Sequence, residues 1–151
     1  MNAEERFDDY VNQLEHAELR DVGFILMGIP RWPTGDPRML AYLEGYLEDT
    51  RPTVIFLKPE HYSEVRYAAG QALATERAVQ NINEWVSVPF SVVPLTWTEM
   101  GHLAREAGLN SNLDPLELLP ILMEKKLVPR RNHGFPARLP PGWLNKDDKQ
   151  D

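Results

Sequence analysis

The sequence predicts an α/β fold: a small three-layer sandwich with a mainly parallel sheet of three or four strands, flanking helices, a C-terminal helical hairpin and an extended Pro-rich arm. Three observations carry this expectation. Continuous apolar runs at 22–29, 53–58 and 88–95 have the length and composition of strands buried on both faces. Between them, apolar residues recur every three or four positions, the period of an amphipathic helix. The resulting order, α-β-α-β-α-β-α-α, is the one that right-handed crossovers build into parallel sheets.

Each element has its own signal. Residues 2–19 place Phe7, Tyr10, Val11, Leu14 and Ala17 on one stripe, with Asn2 positioned to cap the start. The run 22–29 reads as the first strand, and Pro30 ends it. Asp36 followed by Pro37 starts a second helix, Asp as cap and Pro at the first helical position. Residues 53–58 form the second strand, ended by Pro59. Residues 61–86 read as the longest helix, its middle kept small by Ala68, Ala69, Gly70, Ala72 and Ala74. Residues 88–95 make the third strand. Thr96 and Glu99 have the spacing of a capping box, opening a helix that Gly108 closes as a left-handed cap. Asp114 and Pro115 start a last helix, which Pro120 should kink or split. A fourth strand fits within 126–139. Residues 1–127 are thus expected to form a single α/β domain. Residues 128–151 are expected to form an extended arm, packing through Phe135, Leu139 and Trp143, with a disordered charged tip.

Composition narrows the function classes. The chain has 151 residues, 42% of them hydrophobic and 26% charged, as in an ordinary globular domain. It has no cysteine, which excludes disulfides, thiolate metal sites and cysteine nucleophiles. No apolar run reaches the roughly 18–20 residues of a membrane helix. The start of the chain is acidic and lacks the features of a secretory signal. A cytoplasmic protein that does not engage membranes is the expectation. Sixteen basic against 23 acidic residues give a net charge of −7. That balance repels a nucleic-acid backbone, although residues 128–146 hold four bases and no acid.

Ligands of open parallel sheets gather where strands hand over to loops. On the expected topology three loops meet there, bringing together Arg31, Trp32, Asp36, Arg38, Lys58, Glu60, His61, Thr96 and Trp97. Arg31, Arg38, Lys58 and the helix N-termini suit an anion, and His61 with Glu60 suits acid–base work. In the arm, Arg130, Arg131, Phe135, Arg138 and Trp143 are the residue types that anchor protein interfaces. No Gly-rich phosphate loop, nucleophile elbow or His-x-x-x-His spacing occurs, so no cofactor, no metal and no catalytic residue is expected.

Two segments resemble known families. Residues 103–109, with Ala104 four residues before the turn Gly108, resemble the first helix and turn of a helix-turn-helix. The resemblance implies a DNA-reading segment at 98–127, whose second helix would carry Asp114, Pro115, Glu117, Pro120 and Glu124. Residues 40–100 look like the second half of an RNase H-like resolvase domain of the RuvC kind, in a Pro-led strand, the Ala69-Gly70-Gln71-Ala72 helix and a strand ending Val93-Pro94. The first strand ends Gly28-Ile29-Pro30 and the second ends Leu57-Lys58, so the metal-holding acids of that family are missing and the likeness implies an inactive relative.

The leading expectation is an acidic accessory or regulatory domain that docks on another protein or on itself as a homodimer, without a catalytic centre. The alternative is a small-molecule or anion-binding protein, or an enzyme, using the strand-end residues. A nucleic-acid-associated protein is the third.

Overall fold

A computed structural model describes residues 1–143. The elements in chain order are α1 (Ala3–His16), α2 (Leu19–Gly28), α3 (Pro37–Glu44), β1 (Pro52–Leu57), β2 (Glu60–Glu64), α4 (Val65–Val79), β3 (Val86–Val92), β4 (Leu95–Thr96), α5 (Trp97–Glu106), α6 (Pro115–Glu124) and β5 (Arg130–Phe135). The expected charged tip, 144–151, lies outside the described residues.

The chain is α/β, but the sheet is not the parallel one the sequence suggested. The strands form two small antiparallel sheets, one ordered β1-β2-β4 and the other pairing β3 with β5. Three corrections account for the difference. The run 22–29 is helical. Its buried residues, Val22, Leu26 and Ile29, fall at helical spacing, and continuous apolarity alone does not separate a buried helix from a buried strand. Pro59 turns a hairpin instead of stopping a strand, so residues 60–64 pair back on β1 before the long helix begins. The third run divides at Pro94: β3 belongs to one sheet and β4 to the other. The fourth strand expected within 126–139 is β5, which joins β3 and brings Phe135 against α4. α6 continues through Pro120 without dividing.

The capping signals read correctly. Asn2, Asp36 and Asp114 accept backbone N–H bonds at the starts of α1, α3 and α6. Thr96 and Glu99 form the reciprocal box on α5. Gly108 takes φ +73°, the left-handed conformation that favours glycine.

One close approach fixes the part of the fold that matters below. α2 lies directly on β1, and a Cβ at Gly23 would stand 2.4 Å from Thr53 Cγ2 and 2.5 Å from the Val54 carbonyl oxygen. The Thr53 hydroxyl enters the first turn of α2. It accepts from the Gly23 N–H at 2.9 Å and donates to the Leu19 carbonyl at 2.7 Å. α2, α3 and α4 enclose the first core, around Leu26, Ile29, Met39, Leu43 and Leu73. α5, α6 and the β1-β2-β4 sheet enclose the second, around Tyr62, Leu95, Met100, Leu118 and Leu122. No helix among the described residues is long and apolar enough to cross a membrane.

Candidate functional site

The β1–β2 hairpin projects beyond the cores and divides the predicted site residues between two concavities. The larger, about 980 Å³, lies between α1, α2 and the exposed face of the hairpin. Arg31, Trp32, Lys58 and His61 line it, as the sequence suggested. Glu60, Thr96 and Trp97 line a second pocket of about 530 Å³ on the other side. Asp36 and Arg38 line neither. They pair with each other at 2.6 Å at the start of α3, with the Arg38 guanidinium 4.2 Å above the Phe7 ring. Hydrogen bonds from Arg38 hold the Asp36 carboxyl below its usual range.

The large groove is apolar in its floor and walls. Ile55 is buried beneath it, at the β-bulge where Val54 and Phe56 pair with successive residues of β2. That bulge leaves Phe56 and Leu57 facing outward. Phe24 on α2 and Trp32, which is 68% exposed, stand opposite. Met1 lies at one end. Five of the eight large apolar side chains that are exposed among the described residues therefore share one concavity. Gly28, on the same wall, has open space where a Cβ would stand.

The rim is basic. Arg6, Arg31 and Lys58 face a single carboxylate, Asp9. His61 donates from Nδ1 to the Pro59 carbonyl at 2.9 Å, since a carbonyl can only accept. Its ring sits edge-on to Phe56. In the neutral imidazole this leaves Nε2 with the lone pair. The Tyr10 hydroxyl donates to the Trp32 carbonyl at 2.8 Å, and burial pushes its pKa up to about 12, so it stays protonated. Such a surface attracts a negative group and offers it an apolar bed.

The second pocket mixes polar and apolar residues, and several of its polar groups bond one another. Glu60 accepts from Arg20 at 2.6 Å and from the Tyr62 hydroxyl. Burial is the main reason the Tyr62 pKa rises to about 12. Thr96 and Glu99 are committed to the α5 cap.

The predicted interface residues of the arm occupy different environments. Arg130 lies near the buried Glu64 at 3.7 Å and donates to the Phe90 carbonyl. Arg131 and Arg138 are exposed. Phe135 packs inward, edge-on to Tyr67 at 5.3 Å and stacked with His133. Trp143 is half-buried. Ser91 of β3 hydrogen-bonds His133 Nδ1 of β5, but both side chains are buried and line neither groove described above.

Sequence reasoning missed Phe24, Phe56, Leu57, Arg6 and Tyr10 as groove residues. Phe24 lies in the apolar run 22–29, whose composition predicts a buried strand. Phe56 and Leu57 were signalled only by the hairpin pattern, two β-prone runs around Lys58-Pro59, which the stop reading of Pro59 obscured. Among the described residues, no group of three or more His, Asp or Glu is placed to hold a metal ion. No protein-family model, curated protein or solved structure matches the chain.

Proposed function

We propose that the protein is a binding protein whose α1–α2–hairpin groove takes an amphiphilic anion, a ligand with an apolar body and a carboxylate, sulfonate or phosphate head. The observation that supports this reading is the convergence of Phe24, Trp32, Phe56 and Leu57 on one groove rimmed by Arg6, Arg31 and Lys58, on a chain of net charge −7. A monomer exposes an apolar patch of this kind where it binds something. The groove is also within the size range of small-molecule sites. The apolar body contributes about 0.8 kcal/mol for each methylene removed from water. The rim cations, half in solvent, add about 1 kcal/mol or less each and select the sign of the head group.

Calorimetry with dodecanoate, and with dodecanol as the uncharged comparison, tests the reading. Dodecanoate should bind more tightly than dodecanol, and the difference should shrink with added salt and in Arg31→Glu and Lys58→Glu variants. Gly28→Leu should remove binding of both, because its side chain enters open groove instead of core. Equal binding of acid and alcohol would refute the role of the rim. Full binding by Gly28→Leu would refute the location.

A second reading, docking on a partner protein, draws support from Phe90. This non-glycine residue holds φ +49° with its ring 66% exposed. Its N–H donates to Asn132 Oδ1 at 2.8 Å, and its carbonyl accepts from Arg66 at 2.9 Å. Strain so firmly held marks functional positions. Light scattering on the full chain and on Phe90→Gly tests for self-docking: a dimer that Phe90→Gly dissociates supports it, and a monomer in both removes self-docking through this ring.

A further inference from the structure

One buried carboxylate remains outside the groove and outside the ion pairs. Glu76, in the last turn of α4, is fully buried. Its partners are all neutral. It accepts from the Thr34 N–H at 2.6 Å, the Thr34 hydroxyl at 3.0 and 3.1 Å, the Gly35 N–H at 3.0 Å and the Gln80 amide at 3.2 Å. The Gln80 amide also donates to the Asp36 carbonyl at 3.1 Å. The Thr34 hydroxyl in turn accepts from the Asp36 N–H at 3.0 Å. All of these bonds except the one from Gln80 to Glu76 end on the 34–36 stretch of the connection between α2 and α3. That connection carries Arg31 and Trp32, one wall of the groove. At its other end the N–H groups of Arg31 and Trp32 donate to the Gly28 carbonyl at 3.1 and 3.0 Å, and the Trp32 carbonyl accepts from Tyr10.

Burying an ionised carboxylate without a cation is costly unless several donors converge on it. A side chain that only filled core space would be apolar at such a site. The backbone donors belong to a loop without regular secondary structure, and the positive φ of Gly35, +76°, accompanies the return of the Asp36 N–H to the Thr34 hydroxyl. We infer that Glu76 is a positioning residue for the groove: its carboxylate sets the conformation of the 31–36 connection and so decides where Arg31 and Trp32 stand. This inference rests on the groove being the binding site, and it locates part of the binding determinant in a residue no ligand touches. An amide at position 76 cannot replace the carboxylate, because one of its two terminal atoms is a donor and would face the N–H of Thr34 or Gly35.

The test uses the full chain labelled with 5-fluorotryptophan, which gives one fluorine resonance for each of Trp32, Trp85, Trp97 and Trp143. Single Trp→Phe variants assign them. The binding probe is 1-anilinonaphthalene-8-sulfonate, an aromatic body with a permanent anionic charge. In Glu76→Gln the Trp32 resonance should shift or broaden while the other three hold, and probe affinity should fall about fivefold or more. Thr34→Val, which removes the hydroxyl but leaves the N–H bonds to Glu76, should move the same resonance less and cost less affinity. It also keeps the inference testable if Glu76→Gln does not fold. Variants that fold, keep the Trp32 resonance and bind like the wild type overturn the inference. A wild type that does not bind the probe overturns the groove reading instead, while the fluorine spectra still decide whether Glu76 sets the wall.

Discussion

Two alanine substitutions in α2, five residues apart, should change stability in opposite directions. At Gly23 the new Cβ would lie 2.4 Å from Thr53 Cγ2 and 2.5 Å from the Val54 oxygen. Ordinary contact needs about 3.5–4.0 Å, so α2 must retreat from β1 by about 1 Å. Overpacking of that kind costs about 1–3 kcal/mol. Retreat also stretches the Gly23 N–H bond to the Thr53 hydroxyl, a further loss of about 1 kcal/mol. The higher helix propensity of alanine returns up to about 1 kcal/mol. The balance is a loss of about 2 kcal/mol, which for a chain of this length lowers Tm by about 4–8 °C. At Gly28 the Cβ meets open space, so only the propensity gain remains, and Tm should rise by about 1–2 °C. Thermal unfolding followed by far-UV circular dichroism reads both. A Gly23→Ala variant at or above the wild-type Tm would refute the α2–β1 contact, and with it the groove wall that contact positions.

The remaining predictions concern buried charge and the arm. Glu64 is fully buried, accepts from Arg66 at 2.8 Å and from the Val92 N–H at 2.8 Å, and has Arg130 nearby. Glu64→Ala removes the carboxylate partner of the part-buried Arg66, which keeps only the Pro89 and Phe90 carbonyls, and should cost about 2–4 kcal/mol in a urea titration. Asp36 and Glu76 should affect acid stability with opposite signs. The Asp36 pKa is lowered by Arg38, so its contribution is present above the ordinary aspartate value and lost as pH falls through the folded value. Asp36→Asn should therefore cost more Tm at pH 7 than at pH 3. The Glu76 pKa is raised by burial, so its contribution is full below the ordinary glutamate value and lost as pH rises through the folded one. The Tm deficit of Glu76→Gln should therefore shrink as pH rises from about 4. Ending the chain at Leu127 removes β5, which pairs with β3 along its length and covers Gly70 with Phe135. That shortened chain should lose cooperative unfolding or fall well below the full chain in Tm.

Local signals in the sequence read well because their partners lie within a few residues. Asp36 before Pro37, the Thr96–Glu99 box and Gly108 each name a helix boundary through a bond made over two to five positions. Strand pairing depended on residues far apart, and there the reading failed. The run 22–29 is apolar enough for either element. As a helix it packs through Gly23 against Thr53, a contact 30 residues away that no period reveals. Once that run became a helix, the parallel order lost its first strand. The hairpin at Lys58-Pro59 then turned the next strand antiparallel. Arg31, Trp32, Lys58 and His61 nevertheless came together, because the loop after the first apolar run and the end of the second remain neighbours whether that run is strand or helix. Glu60 separated from His61 because successive residues of a strand point to opposite faces, and Thr96, although paired with His61, is committed to the α5 cap. The Glu76 contacts span more than 40 residues and had no signal in the sequence.

The central claim is that the groove binds an amphiphilic anion, and a dodecanoate titration followed by ¹H–¹⁵N correlation spectra of the full chain tests it most directly. The account predicts saturable shifts concentrated at Phe24, Gly28, Trp32, Leu57 and Lys58, with Trp97 and Phe90 unmoved. Shifts centred on Trp97 or Phe90, or none at all, would contradict it.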